Sequence, residues 1–362
     1  MRFHWFLPTT GDGHHVRPAT TTVAAGTAAD RPATLGYLTQ VAGAAEASGF
    51  DAVLTPVGAG CLDPLVVCGA VAARTERLRL LVAFRPGFTL PTLLAQQAQT
   101  FQEISGGRLL LNVVTGGDPR EQRAYGDFLD HDARYARTGE FLSVLRRTWR
   151  GGPFDHAGEH YRVEGGGLAV PLADTPEIYF GGASPAAERV AAQHADVYLM
   201  WGEPPAMIAE RIAGMRRLAA EAGRGLRFGI RLHVIARDTA EEAWACARRL
   251  LDGMDPERIA AAQARFARMD SVGQSRMAGL HGGSADALEI SPNLWAGVGL
   301  VREGAGTALV GSYAEVSERI REYASLGLSE FILSGWPHLE EAWRVGDFVL
   351  PRLAAPVPVP VP

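Results

Sequence analysis

Phe228-Gly229-Ile230-Arg231-Leu232-His233-Val234 reads as a β-strand with two unlike faces. Side chains alternate across a strand, so Phe228, Ile230, Leu232 and Val234 share one side while Arg231 and His233 share the other. An Arg and a His projecting together from an apolar strand are costly unless something needs them. One reading is a pair buried against carboxylates elsewhere in the fold. The other is an anionic ligand, because the guanidinium fork suits an oxyanion and the imidazole can hold or move a proton near neutral pH.

Working outward, this strand follows an Ala- and Arg-rich helical stretch at 205–222 and, before that, another apolar strand at 197–201. The same unit recurs along the chain. Strands are predicted at 3–7, 52–55, 78–84, 109–114, 177–180, 197–201, 227–235 and 330–333. Helices are predicted at 35–48, 65–75, 92–105, 133–150, 185–194, 205–222, 240–251, 315–326 and about 339–350. Eight strand-then-helix units in 362 residues predict a (β/α)8 TIM barrel. A doubly wound sheet would need a Gly-rich fingerprint after the first strand, and Gly11-Asp12-Gly13-His14 does not supply one. The expected organisation is one barrel domain over 1–354 with insertions at about 16–33, 151–172 and 252–311. The middle insertion reads as a hairpin and the last as partly helical. Long segments of this kind inside a compact fold are usually lids or binding loops. The Pro/Val tail, 355–362, reads as extended chain.

The chain is 47% hydrophobic and 21% charged, ample for a large core. A net charge of -5 argues against nucleic acid as a partner. Three cysteines, Cys61, Cys68 and Cys246, form neither a disulfide framework nor a metal spacing, which fits a reducing compartment. The N-terminus begins as an apolar strand without signal-peptide layout, and no apolar run approaches the length of a membrane span. A soluble cytoplasmic protein is expected.

A barrel carries its site at the C-terminal ends of its strands, and several ends are marked here. Gly181-Gly182-Ala183-Ser184-Pro185 reads as a phosphate cradle or as an ordinary N-cap before Pro. Trp201, in Trp201-Gly202-Glu203-Pro204-Pro205, could stack on a planar ligand or belong to the core. Glu203 reads as a helix-start charge. Asp12, His14 and His15 lack the usual metal-ligand spacing, so no metal site is assigned. Cys61 near a strand end is either reactive or an inert buried thiol. Arg302 lies among glycines in Gly297-Val298-Gly299-Leu300-Val301-Arg302-Glu303-Gly304, as in a hinged loop that swings one charge into a site, or as a solvated loop residue. His131 and Tyr135 are four apart, helical neighbours that could hold a phosphate or staple the helix.

Together these motifs resemble the bacterial luciferase-like family and, within it, the flavin-dependent alkanesulfonate monooxygenases. The resemblance runs from Phe6-Leu7-Pro8-Thr9 to Pro337-His338-Leu339-Glu340-Glu341. It is most specific at Trp201–Pro205, at Phe228–Val234 and at Ile290-Ser291-Pro292-Asn293-Leu294-Trp295-Ala296 with the Gly297–Arg302 run that follows. It implies a (β/α)8 barrel that takes reduced FMN (FMNH2) from a separate NAD(P)H:FMN reductase. With O2 it would cleave the carbon–sulfur bond of an organosulfonate, releasing sulfite and an aldehyde. Carried over, Arg231, His233 and Arg302 would form the sulfonate site, with Trp201 and Trp336 in its wall. Cys61 would lie near the flavin. Asn112, His131, Tyr135, Gly182, Ala183 and Ser184 would hold the flavin, with His131, Tyr135 and Ser184 around its phosphate. The 252–302 segment would be a mobile lid, and the assembly a homotetramer or homodimer. A related enzyme on a non-sulfonate substrate, or a flavin-binding protein without turnover, are the alternatives.

Two positions depart from the family pattern. Ser334-Gly335-Trp336-Pro337-His338 carries Trp336 where the family has Tyr, and Pro8-Thr9-Thr10-Gly11-Asp12-Gly13-His14 carries Thr10 where the family has His. Both are expected to face the pocket and to bear on the substrate's carbon part or on the acid–base step.

Overall fold

Side-chain alternation sorts the strand residues into two layers in the computed structural model, which describes residues 1–16, 29–252 and 256–354. Eight parallel strands form a closed ring: β1 (Arg2–Phe6), β2 (Ala52–Thr55), β3 (Arg79–Phe84), β4 (Leu109–Val113), β5 (Ile178–Gly181), β6 (Val197–Trp201), β7 (Arg227–Arg237) and β8 (Glu330–Ser334). Each pairs with its sequence neighbour, and β8 returns to β1 with Arg2 opposite Glu330. This is the predicted (β/α)8 barrel.

Phe228, Ile230, Leu232 and Val234 of β7 belong to the large apolar layer between strands and helices. The barrel interior is a separate cluster that includes Phe6, Leu54, Leu81, Leu110, Leu199 and Ile332. The Arg231 guanidinium lies 4.8 Å from the centre of the Phe6 ring, so the polar face of β7 turns inward. The floor of the barrel is polar as well. Buried Glu330 accepts from Arg227 Nη1 at 2.5 Å and from the Tyr179 hydroxyl at 3.2 Å, and it contacts His4 Nε2 at 2.9 Å. Floor networks of this kind belong to stability, because the chemistry of a barrel sits at the other end.

The helices follow the predicted order. Leu35–Ala47, Pro64–Ala72, Pro91–Ser105, His131–Trp149, Pro185–His194, Pro205–Glu221, Ala240–Leu250, Tyr313–Ser325 and His338–Phe348 wrap the strands. Four of these start with Pro in the first turn, where its missing N–H costs nothing. The 151–172 insertion contains the expected hairpin, Phe154–Ala157 against Arg162–Gly166.

Two of the elements that the sequence reading did not predict lie against the barrel ring. A short helix, Pro119–Ala124, follows β4 and is capped by Asp118. A strand, Ala308–Ser312, pairs in parallel with the upper half of β7, His233 opposite Ala308 through Arg237 opposite Ser312. It is short, follows a glycine-rich run and is buried along nearly all its length, so it shows no apolar–polar alternation. It lengthens β7 beyond the ring to eleven residues. The tail 355–362 and most of the 16–33 loop lie outside the described residues. Among the described residues no helix is long and apolar enough to cross a membrane.

Candidate active site

The strands' C-terminal ends open into one cavity, roofed by the insertion that follows the helix Ala240–Leu250. Its walls combine Asn112, His131, Tyr135, Gly182, Ala183 and Ser184 with Trp201 and Arg231. Eight of the residues assigned from sequence therefore share one space. Cys61, His233, Arg302 and Trp336 do not line it; they stand around it.

At one end, Ser184 caps the helix Pro185–His194, its Oγ accepting from the Ala187 amide at 3.2 Å. The open first turn of such a helix presents N–H donors and a positive dipole end to an anion. Gly182 has φ +150°, and a Cβ there would come within 2.6 Å of the Ala187 methyl and 3.2 Å of the Tyr135 hydroxyl. Glycine is what lets Tyr135 close on this turn. The Tyr135 ring lies 4.9 Å from that of His131, centroid to centroid. Burial pushes the Tyr135 phenol up to about 12, so it remains a neutral donor beside Ser184 and Thr115. The arrangement is a small-residue cradle with phenol, imidazole, hydroxyl and amide groups around it.

Toward the barrel axis the chemistry is cationic. Arg231 is 7% exposed and has no carboxylate within ion-pair distance among the described residues. Its guanidinium donates to the Leu232 carbonyl at 2.7 Å and to Ser334 Oγ at 2.8 Å. Burial, and then the charge of Arg302, pull its pKa down to about 9. The expectation of a pair set against carboxylates is thus not the arrangement found.

His233 is wired through the same serine. Its Nε2 lies 3.0 Å from the Ala305 carbonyl, which can only accept, so Nε2 carries the proton. Nδ1 then accepts from Ser334 Oγ at 2.7 Å. The relay runs from Arg231 to Ser334 to His233 to Ala305. Burial, and then the charges of Arg231 and Arg302, hold the His233 pKa well below its ordinary value. The imidazole is neutral with both nitrogens occupied, which makes it a positioning group for Arg231. Trp336 is buried over its face, and the Arg302 guanidinium lies 6.0 Å from the Trp336 ring centre.

The remaining sequence candidates are placed as follows. Burial raises the Cys61 thiol, so it is protonated near neutral pH. Thr10 is exposed and does not line the cavity, contrary to expectation. Asp12 is committed to structure: it accepts from the His338 amide at 2.6 Å, His338 Nδ1 at 2.8 Å, the Gly13 amide at 2.8 Å and the Tyr37 hydroxyl at 2.5 Å. His14 and His15 are exposed.

Glu203 is more than a helix-start charge. It is 1% exposed and takes Arg211 Nη2 at 2.8 Å and Arg276 Nε at 2.6 Å. Arg276 belongs to the insertion helix Val272–Gly279. A second tie joins Asp270, also in the insertion, to Arg134 Nη2 at 2.7 Å. A third runs from the Asp270 amide to the Gly117 carbonyl at 3.1 Å. A Cβ at Gly273 would press within 3.0 Å of the Trp201 ring, so the insertion packs directly on that indole. The roof is held by ion pairs to two separate barrel elements.

Sequence reasoning missed Arg85, Glu121 and Gln274, which line the same cavity. Phe84-Arg85-Pro86-Gly87 carries the available signal: a charge placed directly after an apolar strand and before a turn.

Comparison with known proteins bears on this cavity. The family profile described as luciferase-like monooxygenase matches residues 1–330. Among solved structures, a riboflavin lyase with modified FMN and riboflavin superposes with a TM-score of 0.78 at 22% identity, covering 97% of this chain and 91% of that one. An EDTA monooxygenase from Chelativorans sp. BNC1 superposes at 0.78 with 21% identity, covering 98% and 93%. A long-chain alkane monooxygenase superposes at 0.75 with 22% identity, covering 97% and 90%. At these identities the likeness to the three structures is one of fold.

Proposed function

The chain belongs to the luciferase-like monooxygenase family, and on that footing we propose that it is the oxygenase of a two-component FMNH2-dependent system that cleaves the C–S bond of an organosulfonate. The products are sulfite and an aldehyde; one oxygen atom of O2 enters the aldehyde and the other leaves as water. The observation that carries the reading is Arg231, a guanidinium buried in the cavity wall with no carboxylate partner among the described residues and a second arginine, Arg302, acting on it. A permanent anion relieves that excess charge at any pH at which a protein folds, and a sulfonate is one.

The cavity suits a flavin on its own features. Gly182 leaves room that a Cβ would fill, and the Gln274 amide nitrogen is buried in the wall without a hydrogen-bond partner. Ser184, Tyr135 and His131 would hold the phosphate, and Asn112 with the Gly182 and Ala183 backbone would line the ribityl and ring path. Bound reduced FMN supplies the electrons that activate O2. The protein's share is placement and exclusion. Arg231 grips the sulfonate, with its fork aimed by Ser334 and neutral His233. Arg302 adds a second charge, Trp201 and Trp336 stand in or behind the wall, and the insertion keeps water from the reacting atoms. A separate NAD(P)H:FMN reductase delivers the flavin, the enzyme works in the cytoplasm, and it assembles as a homodimer or homotetramer.

The test is sulfite release from a panel of sulfonates, short, long and bulky polar, with FMN, NADH, O2 and a generic flavin reductase. Sulfite from any member supports the reading, and Arg302→Ala is expected to abolish it while leaving oxidised FMN bound. Flavin binding with no sulfite across the panel transfers the site to another substrate, or to binding without turnover.

A further inference from the structure

Arg85 leaves β3 at the cavity wall and is paired in a way that Arg231 is not. Its Nη2 donates to Glu121 Oε2 at 2.5 Å, and Glu121 Oε1 accepts from the Ala59 amide at 2.8 Å. The two side chains are 3% and 1% exposed. The other two nitrogens of that guanidinium, Nε and Nη1, are buried with no hydrogen-bond partner. A buried donor left unmade is a cost to the fold, and a larger one when the group is charged. Native folds rarely keep such donors without something that satisfies them.

The two arginines differ in what they can recognise. Arg231 is a net cation suited to a full negative charge. Arg85 is neutralised by Glu121, so a sulfonate would meet the carboxylate as well as the guanidinium. What the pair offers is a pattern, free N–H donors beside carboxylate lone pairs on one buried wall. Its complement is a planar imide edge, where an N–H sits between two carbonyl oxygens. The pyrimidine ring of a flavin has that edge.

We infer that Arg85 and Glu121 form the docking site for the pyrimidine edge of the flavin, Arg85 donating to its carbonyl side and Glu121 accepting from its ring N–H. This rests on the flavin reading above. In the reduced ring the negative charge is spread over the ring nitrogen and carbonyl on the side that Arg85 would meet, while the N–H would face Glu121, so the guanidinium and not the carboxylate would adjoin the charge and the pair would favour the reduced over the oxidised cofactor. An enzyme that receives reduced flavin from another protein gains from such a preference.

The test measures dissociation constants anaerobically for FMN, FMNH2 and 3-methyl-FMN, whose ring N–H is blocked. It uses the full-length protein and the double variant Arg85→Gln/Glu121→Gln, which leaves no buried unpaired charge. Wild type is expected to bind FMNH2 more tightly than FMN, and 3-methyl-FMN about tenfold more weakly than FMN. The double variant is expected to bind FMN about tenfold more weakly than wild type does, level with 3-methyl-FMN, and to lose still more for FMNH2. The wild-type comparison of FMN with 3-methyl-FMN stands even if the variant does not fold. Equal binding of those two by wild type overturns the inference. So does a folded double variant that binds both redox states as wild type does, or one that changes only the KM for a sulfonate. Absence of any flavin binding by wild type overturns the flavin reading and this inference together, whereas normal flavin binding without discrimination overturns this inference alone.

Discussion

The indole of Trp336 lies stacked on the imidazole of His233, with ring centroids 4.4 Å apart and planes 28° from parallel. In-plane hydrogen bonds to Ser334 and Ala305 already occupy both nitrogens of that imidazole. Trp336 therefore packs on a face of a ring whose nitrogens are already held. The Arg302 guanidinium lies 6.0 Å from the centre of the same indole. A substitution at this position reaches Arg231 and Arg302 through their neighbours.

Trp336→Tyr is expected to move selectivity toward simple short alkanesulfonates, because a smaller ring leaves space beside Arg302. The measurement is the ratio of sulfite-release rates for a short alkanesulfonate and a bulky polar one. An unchanged ratio assigns selectivity elsewhere, the 16–33 loop being the next place to look.

Arg231→Met is expected to abolish turnover while leaving the melting temperature unchanged or higher. A buried charge with no carboxylate partner among the described residues is a cost to the fold, and apolar replacement of buried charges is often neutral or stabilising by about 1–4 kcal/mol. Thermal denaturation beside the activity assay decides it. A fall in melting temperature of several degrees would mean that the Arg231 hydrogen bonds are worth more than its desolvation costs.

Stability is expected to fall as pH drops below about 6.5. The His194 imidazole is held down to about 4 by burial and then by Arg146 and Arg224, and His233 is held down by burial and its two arginines. In that window the unfolded chain binds protons that the folded state refuses, so folding is favoured above 6.5 and weakens as pH falls toward 4. Asp12 adds a second, lower window. Burial works against its charge, but His338, Tyr37 and Gly13 hold its pKa down to about 2, and its contribution is lost as pH falls from about 3.8 to 2. Urea denaturation of His194→Gln against wild type at pH 5 and pH 7.5 checks the upper window; the variant should show the smaller pH difference.

Asp270→Asn is expected to loosen the roof. The tie to Arg134 is a charge-assisted bond with one partner only 2% exposed, a class worth about 1.5–3 kcal/mol, so amides of Val272–Gly279 should exchange roughly tenfold faster or more. Unchanged exchange would place the hold on Arg276 and Glu203 instead.

Gly182→Ala is expected to weaken FMN binding at its phosphate end. The added methyl cannot share space with Ala187 and pushes on the Tyr135 hydroxyl. FMN affinity should fall well below that of wild type while riboflavin affinity changes little; equal losses would mean the whole wall has moved.

Much of this was legible before any coordinates. The eight barrel strands could be read from short apolar runs bounded by turn residues, because strand periodicity is a property of neighbours in sequence. Arg231 could be placed on the inward face by counting alternate positions along β7. The cradle at Gly182–Ser184 was visible as glycine followed by a capping Ser and Pro. Arg85 and Glu121 were not. Nothing in Pro119-Arg120-Glu121-Gln122-Arg123 sets Glu121 apart from its charged neighbours, and only in the fold is it sealed at 1% exposure. Nor was the state of His233, which hangs on a serine 101 residues away and on one carbonyl of a glycine-rich loop.

The sequence by itself determined the barrel, the order of its helices, and the end at which polar and glycine residues gather, since each is encoded in local period and turn chemistry. Only the tertiary structure decided which charges are spent on the fold and which are left for a ligand. Asp12 is consumed by His338 and Glu203 by two arginines, whereas among the described residues Arg231 has no carboxylate partner and Arg85 keeps two donors unmet. The reason is that pairing depends on partners brought together by ring closure, 36 residues apart for Arg85 and Glu121 and 326 for Asp12 and His338, and no local pattern in the chain records those distances.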